Sequence, residues 1–152
     1  MAMERVQPGW LTIRVQFVLA AFFVVAGIAK IADPPGFAHE IHNYRMVPGA
    51  LVNAMALILP WLEVVTGVAL FLGIARRTCA KILGILLLVF IVALSVNLAR
   101  NHPVDCGCFG TSTVQKTEAE RLRDMKFAIA RDVGLLLLSL QILWATRRED
   151  RI

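Results

Sequence analysis

From Val15 to Ala29 only Gln16 interrupts an apolar run, and that run constrains everything the chain can become. With its flanks it is long enough, at about 1.5 Å per residue, to cross a hydrocarbon core of about 30 Å. Lipid offers no hydrogen bonds, so a crossing segment of this kind satisfies its own backbone as a helix. Three more apolar stretches follow, giving spans at about 11–32, 50–74, 80–99 and 127–146. The chain is 18% charged, against about 25% in an ordinary soluble domain. The expectation is an all-α membrane protein, a four-transmembrane-helix bundle in one integral-membrane domain over 1–152. A long cysteine-bearing loop separates helices three and four, and the lipid bilayer is the first partner. The net charge of +5 is scattered around the spans rather than massed on one face. That excludes nucleic acid as the natural partner and favours lipid headgroups. The stretch Gly27 to Ile31 lacks a small-x-small cleavage site leading into a soluble domain, so the first span is expected to stay.

The connections carry their own signals. Asp33-Pro34-Pro35-Gly36 stops the first span, because proline lacks an amide donor and restricts the residue before it. Residues 37–49 suit a short interfacial helix or a re-entrant turn. Within the second span Pro60 is followed by Glu63, and a carboxylate at mid-membrane costs about 2.5–3.5 kcal/mol on insertion scales. Glu63 should therefore face the bundle. It could pair with Lys30, relay a proton, meet a quinone head, or stay protonated against a helix carbonyl. Thr117-Glu118-Ala119-Glu120 is a capping box, which predicts a helix that starts there and runs on into the fourth span.

The hydrophilic interval also holds Asp105-Cys106-Gly107-Cys108-Phe109-Gly110. Bridged cysteines need Cα atoms within about 7 Å, and Gly107 permits the sharp turn this demands. A small strained ring would be easily reduced. The residues alone leave a redox dithiol, a structural disulfide and two packed thiols all open. Cys79 lies a helix length away, roughly 30 Å, and reads as a packing residue. His102 with the two cysteines supplies three of the four ligands a zinc site wants, and no fourth is near, so no metal is expected. Lysines and arginines divide evenly between the two sides, but the short turn holding Arg76, Arg77 and Lys81 has no acidic residue. Clusters close to spans dominate orientation, which puts the termini in the cytoplasm and the cysteines in an oxidising compartment.

Several motifs together resemble a known family. Ala26-Gly27-x-x-Lys30-x-x-Asp33-Pro34 with Phe37, Ile41, Tyr44 and Pro48 is similar to the MauE family of methylamine-utilisation membrane proteins. So are Leu59-Pro60-Trp61-x-Glu63-x-x-x-Gly67, the Cys106-Gly-Cys108-Phe-Gly110 loop and Arg131-Asp132-x-x-Leu135-Leu136. The wider group includes DoxX-like proteins. The resemblance implies a bacterial inner-membrane protein of four helices in a redox setting. It implies a thioredoxin-like partner or a periplasmic client, and through the DoxX relatives it leaves a membrane quinone open as cofactor, with a site near Glu63 and Trp61. On this reading Cys106 and Cys108 are the catalytic pair, supported by Lys30, Asp33, Glu63, Asp105, Arg131 and Asp132. A thiolate needs positive neighbours, which Lys30 and Arg131 could supply while Asp105 opposes. The bland alternative is that Lys30 and Arg131 snorkel, or pair with Asp33 and Asp132 to fix helices. A thiol–disulfide oxidoreductase and a non-catalytic assembly subunit both remain open.

Overall fold

A computed structural model describes residues 9–104 and 116–149. Asp105, Cys106 and Cys108 lie outside the described residues. The described chain is five helices: α1 Gly9–Ala32, α2 Pro34–Asn43, α3 Gly49–Phe71, α4 Arg76–Ala99 and α5 Glu118–Glu149. Four of them, α1, α3, α4 and α5, are long and apolar enough to cross a membrane. Helix α2 is the short element expected between the first two spans. It begins earlier than residue 37 because the residues that end α1 also start it. Asp33 is its N-cap, with a carboxylate oxygen accepting from the Gly36 N–H at 3.1 Å, and Pro34 takes the first helical position, where no donor is missed.

The second span ends three residues short of the expected 74, and the cause is a Schellman turn. The Ile74 N–H reaches back to the Ala69 carbonyl at 2.9 Å and the Gly73 N–H to that of Leu70 at 3.1 Å. Gly73 adopts the left-handed φ of +75° that this turn requires. Helix α4 ends the same way on Asn101, at φ +53°, with the His102 N–H bonded to the Asn97 carbonyl at 3.0 Å. The capping box is formed: the Glu120 carboxylate accepts from the Thr117 N–H at 2.9 Å, and the Glu120 N–H reaches the Thr117 hydroxyl at 3.4 Å. From there α5 runs uninterrupted for 32 residues, about 48 Å at 1.5 Å per residue, longer than the hydrocarbon core.

Helix α1 packs along α3 and α4 along α5, with lighter contacts joining α1 to α5 and α3 to α4. The four spans thus occupy the corners of a square. Glycines set how closely one side can approach. A Cβ on Gly27 would lie 2.6 Å from Val64 Cγ2 and 2.9 Å from the Pro60 carbonyl oxygen; one on Gly67 would meet Val24 Cγ2 at 2.9 Å. Each helix therefore rests nearly backbone to backbone on the other, the small-residue packing typical of lipid-embedded helices. Leu19, Ala20, Phe23, Leu70, Ala80, Leu83, Leu87 and Ile142 fill the centre, and the Gln16 side chain donates to the Leu70 carbonyl there. The outward faces carry exposed Leu57, Ile58, Val65, Ile85 and Leu137, with Trp10 and Trp144 near one end. Such a surface is stable only against lipid. The chain is a multi-pass membrane protein.

Candidate functional site

The chemistry in the described bundle is concentrated on its axis. Helix geometry leans side chains toward the helix N-terminus, so Lys30, near the end of α1, points back into the bundle. It is 3% exposed, the opposite of snorkelling. Its ammonium lies 2.8 Å from each carboxylate oxygen of Glu63, which is 1% exposed. The Phe90 ring of α4 lies 4.9 Å from the ammonium and the Phe37 ring of α2 lies 5.1 Å away, both in the range of cation–π attraction. Buried Phe37 makes α2 a cover over this end of the axis.

Asp132 of α5 is 2% exposed and completes the set. Its Oδ1 accepts two bonds from Arg131, at 3.0 Å from Nε and 2.9 Å from Nη2. The Arg131 guanidinium lies 5.2 Å over the Phe22 ring. A cavity of about 10 Å³ is lined by Phe22, Phe23, Ala26 and Lys30 of α1, Glu63 of α3, Leu87 and Phe90 of α4, and Asp132. All four spans therefore contribute to it. Two cations and two carboxylates balance when all are ionised, which is how charge survives at this depth. Breaking such a buried pair by removing one partner typically costs about 3–5 kcal/mol.

The sequence-predicted site residues divide into those the structure brings together and those it does not. Lys30 joins Glu63 rather than Asp33, which caps α2 instead. Arg131 joins Asp132, its neighbour on the same helix. Trp61 does not share a site with Glu63: it is 58% exposed on the outward side of α3, where two residues turn the helix by about 200°. The axial cavity, at about 10 Å³, has the room of one water. Sequence reasoning missed Phe22, Phe23, Phe37 and Phe90 as part of the ionic site. The available signal was spacing: Phe22, Ala26 and Lys30 recur every four residues and so share one stripe of α1.

The cysteine interval is anchored at both described edges, at the end of the bundle that α2 covers. Val104 is buried, and its N–H lies 3.3 Å from Met125 Sδ, in a cluster with Tyr44 and Leu94. The His102 ring nitrogen lies 3.1 Å from the Asn43 carbonyl oxygen at the end of α2. On the far edge, Lys116 pairs with Asp124 at 2.8 Å. Cys79 belongs to the opposite end, buried at the start of α4 with its thiol donating to the Ile74 carbonyl at 3.4 Å. Among the described residues no cluster of three or more histidines, cysteines or carboxylates is placed to hold a metal.

These features define a class: a four-span membrane protein with a buried ion pair on its axis and a short helix covering one end. Within that class, the family model for "Methylamine utilisation protein MauE" matches residues 8–145, and the chain belongs to the MauE family. Named relatives agree. MauE of Methylorubrum extorquens is 30% identical over 131 residues, covering 86% of this chain and 67% of the relative. MauE of Methylophilus methylotrophus is 37% identical over 95 residues, 62% of this chain and 48% of the relative. MauE of Paracoccus denitrificans is 35% identical over 92 residues, 60% of this chain and 50% of the relative. The chain thus spans about half to two thirds of the length of the relatives it matches. No solved structure matches it.

Proposed function

We propose that the chain is an inner-membrane accessory protein of methylamine utilisation that exchanges thiol–disulfide equivalents through Cys106 and Cys108 at the periplasmic face. The observation that carries this reading is the isolation of Cys79. Of the three cysteines it alone is buried within a described helix, at the far end of α4, about 30 Å of helix from the cysteine interval. The remaining two are separated in sequence by one glycine, a spacing that a sharp turn can bridge. In the oxidising direction, a thiolate of a thioredoxin-like partner or a periplasmic client attacks one sulfur of the Cys106–Cys108 disulfide. The mixed disulfide forms as the other sulfur leaves as thiolate. The client's second thiolate then resolves it, so the client gains a disulfide and the pair becomes a dithiol. Lys30, Glu63, Arg131 and Asp132 support this by fixing α1, α3 and α5 to one another on the axis and Asp33 by capping α2, while Asp105 disfavours the Cys106 thiolate.

A second reading has its own observation. The buried Lys30–Glu63 pair and Asp132 hold α1, α3 and α5 together, as a non-catalytic assembly subunit would also require. Trapping separates the two. With Cys106→Ser or Cys108→Ser, the surviving thiol of a dithiol protein holds a partner in a mixed disulfide visible on non-reducing gels. An assembly subunit yields no covalent partner and keeps its activity in both variants.

A further inference from the structure

The axial cavity brings two polar groups together without a direct bond between them. An ammonium carries three N–H donors. Two of those on Lys30 are used by the two Glu63 oxygens at 2.8 Å, which leaves one. Across the cavity, Asp132 spends Oδ1 on both Arg131 bonds, and Oδ2 has no hydrogen bond among the described residues. The space they border is about 10 Å³, the room of one water. A water there would accept from Lys30 and donate to Asp132, and so satisfy both. The remaining lining is apolar: Phe22, Phe23 and Ala26 from α1 and Leu87 and Phe90 from α4. Phe37 covers the ammonium from α2. Apolar walls give a proton on this path no other charged group to go to.

We propose that the cavity is a proton-transfer site, in which one bound water links Lys30 to Asp132 and completes a path from Asp132 to Glu63. The step balances without any further reagent. The Lys30 ammonium passes a proton to the Glu63 carboxylate; the amine takes one from the water, and the water takes one from protonated Asp132. One proton has moved from Asp132 to Glu63, and the net charge of the site is unchanged. Arg131 does not relay, because a guanidinium does not deprotonate in proteins. It is a positioning residue that holds Oδ1 and leaves Oδ2 for the water. Lys30 differs from a static counter-ion in one respect: it must give up a proton. This inference does not depend on the dithiol reading.

The test uses the full chain in lipid nanodiscs, with lysine labelled by nitrogen-15. The Lys30 ammonium signal is identified by its loss in Lys30→Arg, against the persisting signals of Lys81, Lys116 and Lys126. Two measurements follow: magnetisation transfer from bound water to the Lys30 nitrogen, and the hydrogen-exchange rate of that ammonium. The wild-type protein should show the transfer. In Asp132→Asn, which keeps the shape but no longer carries a proton, exchange should slow by about a hundredfold, the low end of what a positioned acid–base group contributes. Absence of water transfer in the wild type, or an unchanged exchange rate in Asp132→Asn, overturns the proposal. Should that variant fail to assemble, the wild-type transfer decides alone, supporting the relay if present and overturning it if absent.

Discussion

Lys30→Met is the perturbation that most directly weighs the axial ion pair. It removes an ammonium that is 3% exposed and bonded to both oxygens of a carboxylate that is 1% exposed. Truncating one partner of a buried pair costs about 3–5 kcal/mol, most of it the penalty for stranding the other charge. Here Glu63 can escape part of that penalty by taking up a proton, so the loss should fall near the lower end, about 3 kcal/mol. Replacing both residues with methionine removes the stranded charge and fills the volume with apolar atoms. The double variant Lys30→Met/Glu63→Met should therefore lose less than the sum of the singles, with a coupling of about 2–3 kcal/mol. Reversible unfolding in mixed detergent micelles, followed by circular dichroism, measures all four corners of the cycle. Additivity within about 0.5 kcal/mol would refute the reasoning, because it would mean that the two charges do not depend on each other.

Three further outcomes are expected. Gly27→Ala should destabilise by about 1–3 kcal/mol, since its Cβ would meet the Pro60 carbonyl oxygen at 2.9 Å, whereas Gly134→Ala, with nothing within 4 Å, should be neutral or better; thermal unfolding of the two compares them directly. Thr117→Ala should cost about 1 kcal/mol and speed amide exchange in the first turn of α5, where its hydroxyl now receives the Glu120 N–H. An alkaline-phosphatase fusion after Gly110 should be active and one after Arg77 inactive, and the reverse pattern would invert the proposed orientation.

Much of the architecture was legible because lipid imposes it: an apolar run of about 20 residues has one solution for its backbone. Gly73 and the Thr117–Glu120 box also announce themselves, since each residue type suits its cap for a local reason. Arg45, at φ +51°, and Asn101, at φ +53°, end α2 and α4 without glycine, so the sequence gives little warning there. The same limit applies to the site. That Glu63 needs a partner follows from its depth, and Lys30 is one candidate, but the choice of Lys30 over a helix carbonyl, and of Glu63 over Asp33 as the partner of Lys30, does not. It depends on Gly27 and Gly67 bringing α1 against α3 in one register, and on α2 folding back so that Phe37 seals the ammonium. Asp33, the residue just past the end of the span, looks like a counter-ion in the sequence. Two prolines beside it make it a helix cap instead.

The most direct test of the central claim counts thiols. Cells are quenched in acid, denatured, and treated with a mass-tagging maleimide, with and without prior reduction. If Cys106 and Cys108 form a reversible disulfide, the protein takes one tag before reduction, on Cys79, and three after it. Cys79→Ser should leave the redox-dependent difference at two tags. Full labelling of all three cysteines without reductant, and again after mild oxidant, would contradict the account and leave the assembly subunit in its place.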